Sequence, residues 1–369
     1  MVAGTGPLRG VRVLEFAGLG PGPFCGMLLA DLGADVVRID RRGTRGGLIG
    51  SLAGTTLLDR GKRSIALDLK DADDLAVVRA LAARSDVLLE GFRPGVMERL
   101  GLGPEELMAG HPALVYGRMT GWGQTGPLAT AAGHDIGYIA LAGALGASGR
   151  PDERPAPPVN LLGDFGGGGV FLALGALAAL LHARTTGEGQ VVDAAIVDGT
   201  AVLTTMLHGM LSTGSWTDRR GRNLLDTGAP FYDVYRCADG TFVAVGALEE
   251  QFYAALLTGL GLADDPELPD RTDPDAWPAL RARFTEVFAS RTRAQWWEVF
   301  SGTDACVAPV WSLTEAGGDP HNRAREVFTE RDGVVQPAVA PRFSRTPGEV
   351  GAVPRIGEHD AEIRAELGL

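Results

Sequence analysis

Two glycine-flanked segments each place one titratable side chain where a helix is expected to begin. His134 precedes the apolar run DIGYIALAGALGA, and Asp164 precedes the longer run FGGGGVFLALGALAALLHA. The first turn of a helix has unpaired N–H groups and the positive end of the helix dipole, which suits a base that works beside a developing oxyanion. An imidazole and a carboxylate can each give or take one proton. A reaction that exchanges protons on two faces of one carbon needs such a pair.

Each of these residues also has a structural explanation when it is taken alone. A single histidine in a loop is commonly a hydrogen-bonded structural residue, and an aspartate before an apolar run is commonly a helix N-cap. The residues that surround His134 and Asp164 must therefore decide between a structural and a chemical role.

Short apolar strands alternate with helices over the first 120 residues. This alternation is typical of an α/β protein whose parallel sheet is covered on both faces. The predicted strands are 11–16, 35–40, 64–69, 86–89 and 113–118, and the predicted helices among them are 24–32 and 72–84.

A proline-rich connector at 150–158 precedes a different pattern. Two long helices are predicted at 165–184 and 192–211. Two strands follow within 230–245, joined by an Ala-Asp-Gly turn. The predicted helices beyond them are 250–260, 277–290 and 292–301, with a surface loop at 264–275 and a short terminal helix at 357–363. This part of the sequence predicts a second, smaller α+β domain.

The composition excludes several classes of protein. The net charge is −12 with 45% hydrophobic residues, and no basic stripe alternates with aromatic residues, so nucleic acid is not an expected partner. Three cysteines without a CxxC pair indicate a reducing, cytoplasmic location. The histidines lack metal-ligand spacing, so no metal is predicted. We expect the apolar runs, such as VFLALGALAALLHA, to be shorter than the ~20 residues that span a bilayer, so no membrane is predicted.

The first strand and the glycine-rich turn after it resemble a dinucleotide site, and the next strand ends in Asp40 at a suitable distance. The Gly-x-Gly-x-x-Gly pattern is not met, because the sixth residue from Gly18 is Pro23 and the sixth from Gly20 is Cys25. Prolines also remove N–H donors that a pyrophosphate requires. We therefore predict no nicotinamide nucleotide.

Ordered motifs along almost the whole chain resemble the α-methylacyl-CoA racemases, within the family III CoA-transferase (CaiB/BaiF-type) superfamily. They include GPGPFCGMLLADLGADVVRIDR, MTGWGQTGP, AGHDIGYIALAG, NLLGDFGGGG and LLDTGAP. The resemblance implies an interlocked homodimer. It also implies a large Rossmann-like domain at 1–190 and 325–369, linker helices at 191–224 and a small α+β domain at 225–324.

The same resemblance implies a 2-methyl-branched acyl-CoA substrate and assigns roles at its α-carbon. His134 and Asp164 correspond to the two acid–base residues, one for each face of the carbon. Glu249 matches a glutamate that hydrogen-bonds the catalytic imidazole and fixes its tautomer. It is expected to come from the small domain of the other subunit, so the dimer is required for activity. The resemblance also implies no cofactor, because coenzyme A is part of the substrate.

Coenzyme A needs cations for its phosphates and backbone groups for adenine and pantetheine. Arg41, Arg93 and Arg99 match arginines that contact the phosphates. The N–H of Asp135 is expected to stabilise the enolate, and the glycines at 166–169 are expected to admit a thioester or pantetheine arm. The other matching contacts are Leu67, Asp68, Leu69, Lys70, Gly91, Phe92, Gly133, His134, Ile136, Gly137 and Tyr138.

Two alternatives stay open. One is CoA transfer through an acyl anhydride on Asp164, and the other is a catalytically silent dimer that binds acyl-CoA. His134 favours the racemase, because the transferases typically lack this histidine. Glu250 stands where the racemases usually have proline, and Gly137 where they usually have asparagine, which leaves the acyl group of the substrate open.

Overall fold

The computed structural model describes residues 5–43 and 56–369. Residues 1–4 and 44–55, which the expected large domain includes, lie outside the described residues. The strands are β1 Arg12–Phe16, β2 Asp35–Arg41, β3 Arg63–Leu67, β4 Val87–Glu90, β5 Val115–Thr120, β6 Val191–Ala195, β7 Tyr232–Arg236, β8 Phe242–Gly246, β9 Val307–Pro309, β10 Phe328–Arg331 and β11 Val334–Pro337.

The described chain contains one π-helical segment, Leu161–Val170, and a series of α-helices. These are α1 Pro21–Asp31, α2 Ala72–Ala82, α3 Val96–Arg99, α4 Pro104–Gly110, α5 Asp135–Leu141, α6 Phe171–Thr186, α7 Ile196–Leu203, α8 Thr205–Thr213, α9 Glu250–Leu260, α10 Trp277–Phe288, α11 Arg293–Phe300, α12 Pro320–Ala324 and α13 Asp360–Leu367.

Six parallel strands form the main sheet in the order β3-β2-β1-β4-β5-β6. The central strand β1 pairs on one side with β2, where Val13 lies opposite Val36, and on the other side with β4, where Val13 lies opposite Val87. The predicted α/β architecture with a parallel sheet is therefore confirmed. This strand order reverses direction at β1, and ligands in open α/β sheets bind beside such a reversal, at the carboxyl ends of the strands.

Alternate residues of β1 bury both faces of this sheet. Val13 packs in a core that includes Leu29 of α1 and Ala176 of α6. Leu14 packs in a second core that includes Val78 of α2 and residues of α13. Both faces of β1 are therefore covered by helices, as is usual for a parallel sheet.

The last residues of the chain cover β3, one of the first strands. The N–H of Ala66 donates to the Asp360 carboxylate at 2.8 Å, and the N–H of His359 donates to the Ser64 carbonyl at 3.0 Å. Ile363 of α13 is fully buried in the core on this face. The chain end thus completes a core that the first strands begin.

The helix predicted at 192–211 is wrong in its first part. Those residues form β6, whose Val191 lies opposite Tyr116 of β5, and the chain becomes helical only at Ile196. β-branched residues at 191 and 192 suit an edge strand, but their apolar spacing alone does not separate strand from helix. A second helix, α8, then follows α7.

The described residues form two compact units. The first contains residues up to 142, 159–203 and 324–369, and the second contains 143–158 and 204–323. The expected linker 191–224 is thus divided between them, because β6 belongs to the main sheet.

The second unit contains the antiparallel sheet β7-β8-β9. Tyr235 of β7 stacks on Phe288 of α10 with ring centroids 4.9 Å apart, and Trp296 of α11 contacts the same phenylalanine ring edge-on. The strands predicted within 230–245 and the three predicted helices that follow them are confirmed.

The π-helical segment and α6 form one helical run of 26 residues, Leu161–Thr186. Among the described residues, this run is long and apolar enough to cross a membrane by length and composition, so the expectation that every apolar run is too short was wrong. One side of the run, including Leu172, Ala176 and Ala179, is buried in the core of the sheet.

Candidate active site

A cavity of about 380 Å³ opens at the carboxyl ends of β1, β4 and β5. It lies where the strand order reverses, which is the position that the topology favours for a ligand. The loops that follow these three strands form its walls, together with Gly133, His134, Tyr138 and Asp164. The cavity thus brings the two proposed acid–base residues to one site.

His134 is the N-cap of α5, as the sequence predicted. Its backbone is extended, and its carbonyl accepts hydrogen bonds from the N–H groups of Gly137 and Tyr138. Within the described chain its imidazole makes no capping hydrogen bond. The side chain is therefore free to face the cavity while the backbone holds the helix start.

Asp164 lies inside the first turn of the π-helical segment, not at the start of an α-helix. Its N–H donates to Asp135 Oδ1 at 2.7 Å, and its Oδ2 accepts a hydrogen bond from Asn160 Nδ2 at 3.1 Å. The carboxylate is held by a side-chain amide and does not cap a helix. Position and partners both separate Asp164 from an ordinary N-cap residue.

The surroundings of Asp164 raise its pKa. Burial is the main cause, and the negative charge of Asp135 adds to it, while the Asn160 hydrogen bond and the charge of His134 act in the opposite direction. A carboxyl group whose pKa is raised toward the working pH exchanges its proton more readily in both directions. This property suits an acid–base residue.

The glycines of the run 166–169 are needed for packing between helices. A Cβ at Gly167 would lie 2.7 Å from the Thr200 backbone nitrogen, and one at Gly169 would lie 2.8 Å from the Pro21 carbonyl oxygen. At Gly168 a Cβ would lie 3.0 Å from a side-chain atom of Ile196. At these three glycines α1 and α7 take up the space that a side chain would need, so helix packing explains them without a ligand. The expected approach of a thioester or pantetheine arm stays a prediction.

The glycine-rich turn after β1 faces the carboxylate of Asp164. Gly20 has a φ of +66°, and a Cβ there would lie 3.1 Å from Asp164 Oδ2. The turn is held from below by Lys62, whose ammonium donates to the Pro23 carbonyl at 3.0 Å and pairs with Glu15 at 2.7 Å. The turn that resembles a dinucleotide loop therefore forms a wall of this site.

Lys62 and Glu15 are both buried, and sequence reasoning missed them. Burial raises the pKa of Glu15 to about 7, against the opposing effect of the Lys62 ammonium. Glu15 also lines the cavity. A charged residue in the middle of an apolar strand, as in Arg12–Phe16, is the signal that could have drawn attention to this pair.

The residues matched to coenzyme A fall into two groups. Gly91, Phe92, Arg93, Gly133 and Tyr138 line the cavity. The others do not line it: Arg41, Leu67, Asp68, Leu69 and Lys70 lie at or just beyond the ends of β2 and β3, Arg99 ends α3, and Asp135, Ile136 and Gly137 begin α5.

Trp122 and Asn160 are the other site residues that sequence reasoning missed. Trp122 follows β5, lines the cavity and packs edge-on against Tyr138, with ring centroids 4.6 Å apart. A Cβ at Gly133 would lie 2.6 Å from the Tyr138 ring, so this glycine makes room for the aromatic pair. Asn160 could have been found from its spacing, because it precedes Asp164 by one helical turn.

Glu249 is the N-cap of α9 in the second unit, where it is exposed and its carbonyl accepts a hydrogen bond from the Tyr253 N–H at 2.9 Å. Glu250 is the first residue of the same helix. The expected hydrogen bond between Glu249 and the imidazole of His134 stays a prediction.

The sequence profile of CoA-transferase family III matches residues 8–360. The chain belongs to CoA-transferase family III. Within the family it is 50% identical to the alpha-methylacyl-CoA racemase of Mus musculus over 365 residues, which cover 98% of this chain and 93% of the mouse protein. It is 34% identical to the succinyl-CoA--D-citramalate CoA-transferase of Chloroflexus aurantiacus, over 98% of this chain and 94% of that protein.

A solved structure also resembles this family III chain. The crystal structure of a CAIB/BAIF family protein from Brucella suis superposes with a TM-score of 0.82 and 28% sequence identity, and the match covers 98% of this chain and 99% of that one. The six-stranded parallel sheet and the small antiparallel sheets are therefore an architecture that the family uses.

Proposed function

We propose that the protein is a cofactor-independent racemase that interconverts (R)- and (S)-2-methylacyl-CoA thioesters. The observation that carries the proposal is the cavity that contains both an imidazole, His134, and a carboxylate of raised pKa, Asp164. The identity to the mouse racemase over nearly the whole chain supports the same activity.

The reaction needs one proton to leave one face of the α-carbon and one to arrive at the other. One residue of the pair removes the α-proton, and the C–H electrons pass to the thioester oxygen to form an enolate. The other residue then protonates C2 from the opposite face, and the carbonyl re-forms. The pair starts and ends with one proton in total, because the residue that removed the α-proton keeps it and the other residue has given its own proton to C2. Each group therefore acts as base for one epimer and as acid for the other.

The cavity also offers a cation for the coenzyme A part of the substrate. Arg93 lies on its rim and is exposed. Guanidinium groups pair with phosphates in a bidentate manner. We therefore propose that Arg93 contacts the phosphates, while Gly91 and Phe92 lie along the pantetheine arm. Arg41 and Arg99 remain proposed contacts that the cavity itself does not include.

We further propose that the active protein is an interlocked homodimer in which Glu249 of the partner subunit hydrogen-bonds His134. Mixing tests this arrangement directly. His134→Ala and Glu249→Ala homodimers are each expected to be inactive or strongly impaired. Unfolding and refolding them together would form mixed dimers with one intact site, and about a quarter of the wild-type activity per dimer would return if all protomers pair at random. No recovery would contradict a shared site.

The second candidate function is CoA transfer through an acyl anhydride on Asp164. The observation that favours it is the 34% identity to a CoA-transferase over nearly the full chain. The third, a silent acyl-CoA-binding dimer, would leave the cavity without chemistry.

One experiment separates the three. A single epimer of a 2-methylacyl-CoA is incubated with the protein in D₂O, and deuterium at C2 is followed together with the ratio of epimers. Deuterium incorporation with epimerisation supports the racemase. Acyl transfer to an added free acid without C2 exchange supports the transferase and contradicts our proposal. Saturable binding without either reaction supports the silent dimer.

A further inference from the structure

One carboxylate joins the two segments that carry the proposed acid–base residues. Asp135 follows His134 directly and is the first residue of α5, and its Oδ1 accepts the hydrogen bond from the Asp164 N–H at 2.7 Å. The two aspartates are separated by 29 positions in the chain. This hydrogen bond therefore ties the Asp164 backbone to the segment that carries His134.

The contact is built into the local sequence. A Cβ at Gly163 would lie 2.3 Å from Asp135 Oδ1 and 2.8 Å from a side-chain methyl of Ile139. Only a residue without a side chain can precede Asp164 at this distance from α5. The glycine and the aspartate thus form a matched pair, one on each segment.

Asp135 is a buried carboxylate at a position where the hydrogen bond from the Asp164 N–H alone does not require a charged side chain. The residue is 7% exposed, and among the described residues its Oδ2 is buried without a hydrogen-bond partner. An amide would satisfy the Asp164 N–H with its oxygen equally well and would cost less to bury than a carboxylate. A carboxylate rather than an amide at this position therefore indicates an electrostatic role.

We propose that Asp135 is a positioning residue with two effects on Asp164: its Oδ1 fixes the Asp164 backbone, and its carboxylate acts electrostatically on the Asp164 carboxyl group. The inference rests on the proposed racemase function. It extends that function by naming a residue that influences the ionisation of Asp164 in the pair with His134.

Several groups around Asp164 affect its ionisation, and the charge of Asp135 acts together with them. Asn160 on the π-helical segment and His134 before α5 favour the ionised carboxylate, whereas Asp135 opposes ionisation. The Tyr138 hydroxyl group of α5 also faces this region, and its pKa is raised by burial and by the charge of Asp164, with Arg93 opposing. Removal of the Asp135 charge therefore lowers the pKa of Asp164.

The pair of His134 and Asp164 is active with one proton, and this determines the direction in which the pH profile moves. At low pH the pair takes up a second proton, and activity is lost because no base remains. The acid limb of kcat/KM then reports the ionisation of Asp164 as part of the coupled pair. Asp135→Asn should move this limb to lower pH in both directions of the reaction, because both directions use the same one-proton enzyme.

Two variants separate the charge from the hydrogen bond. Asp135→Asn keeps an oxygen for the Asp164 N–H and places its NH₂ where Oδ2 now has no partner. It should keep kcat within about tenfold of wild type while the acid limb moves. Asp135→Ala loses the contact as well, and since displacement of a reacting group by about 1 Å can cost ~10²-fold, its kcat should fall by about that factor. Glu105→Gln, an exposed charge on α4, is the matched control for net charge.

The measurements are pH profiles of epimerisation and of C2–D exchange for the four proteins, with circular dichroism to check folding. An acid limb that does not move in Asp135→Asn would overturn the electrostatic role. A kcat in folded Asp135→Ala equal to that of wild type would overturn the positioning role. If the wild-type protein itself does not epimerise any 2-methylacyl-CoA, the proposed function fails, and that result is distinct from a failure of the variants alone.

Discussion

The side-chain amide of Asn160 donates a hydrogen bond to Oδ2 of Asp164 at 3.1 Å, across one turn of the π-helical segment. It opposes the effect of Asp135 on the same carboxyl group. These two neighbours thus act in opposite directions on the pKa of Asp164, beside the larger effect of burial.

Removal of the amide should shift the pH profile in the direction opposite to Asp135→Asn. Asn160→Ala removes a hydrogen bond to the ionised form, so the pKa of Asp164 rises further and the acid limb of kcat/KM moves to higher pH. The measurement is the pH dependence of epimerisation from pH 4 to 8. Asn160→Asp is the comparison, because a second carboxylate there should raise the limb still more. A shift to lower pH in Asn160→Ala would contradict the assignment of Asp164 as the group that titrates.

Loss of either acid–base residue should abolish epimerisation but leave exchange from one epimer. His134→Ala and Asp164→Ala should each lower epimerisation by at least ~10²–10⁴-fold, because one face of C2 loses its proton donor. The base that remains can still remove the α-proton of one epimer and return a solvent deuteron to the same face. The two variants should therefore exchange opposite epimers, as measured by NMR in D₂O. Exchange of the same epimer by both variants would rule out one base for each face.

Close packing of the π-helical segment on α7 should make the protein sensitive to one added methyl group. Gly167→Ala would place a Cβ 2.7 Å from the Thr200 backbone nitrogen, which only a movement of the helices can relieve. The free energy of unfolding should fall by about 1–3 kcal/mol. Urea denaturation followed by circular dichroism measures it. Gly209→Ala on α8 is the control, because among the described residues no atom beyond the adjacent residues and the helix's own backbone lies within 4 Å of the new Cβ. It should be neutral or stabilising by up to ~1 kcal/mol.

The buried pair of Lys62 and Glu15 should make stability depend on pH once the ammonium is removed. Lys62→Met leaves Glu15 buried without its cation, which costs about 3–5 kcal/mol while the carboxylate is ionised. The pKa of Glu15 is already raised to about 7 by burial, and loss of Lys62 raises it further. A raised carboxyl pKa stabilises the folded state at low pH and loses this effect as pH rises through the folded value.

The destabilisation by Lys62→Met should therefore be smaller at pH 5 than at pH 8. Chemical denaturation of wild type and variant at both values gives the two differences. Lys70→Met, an exposed lysine, should change stability little at either pH. An equal or larger loss at pH 5 would show that Glu15 does not take up the proton.

The sequence predicted the main elements of the fold because their signals are local. Alternating apolar strands and helices identified the sheet, and the approximate start of α5 at His134 followed from its glycine flank. The start of β6 was missed because Val191 and Val192 fit both periods, and only pairing with β5 decides between strand and helix. The π-helical geometry around Asp164 was also missed, since no residue pattern specifies it.

The chemistry of the site was predictable in part for a similar reason. His134 and Asp164 are conspicuous because titratable residues beside glycines interrupt apolar runs. The contacts that tune them come from residues distant in the chain: Asp135 reaches Asp164 across 29 positions, and Lys62 reaches the Pro23 carbonyl across 39. Such long-range contacts follow from the sheet order, which a single sequence does not reveal. The glycine run at 166–169 was ambiguous for another reason: close packing against a helix and close approach of a ligand both require a residue without a side chain.

The cover that α13 places over β3 also determines when the protein can fold during synthesis. Roughly 300 residues separate the two elements in the chain. A ribosome that adds about 5–20 residues per second needs about 15–60 s to make them. Throughout that interval one face of the nascent sheet lacks Ile363 and the hydrogen bond from Ala66 to Asp360. The sheet is therefore completed only after α13 has been translated, and a chain that stops short of α13 would present an apolar surface to the chaperones around it.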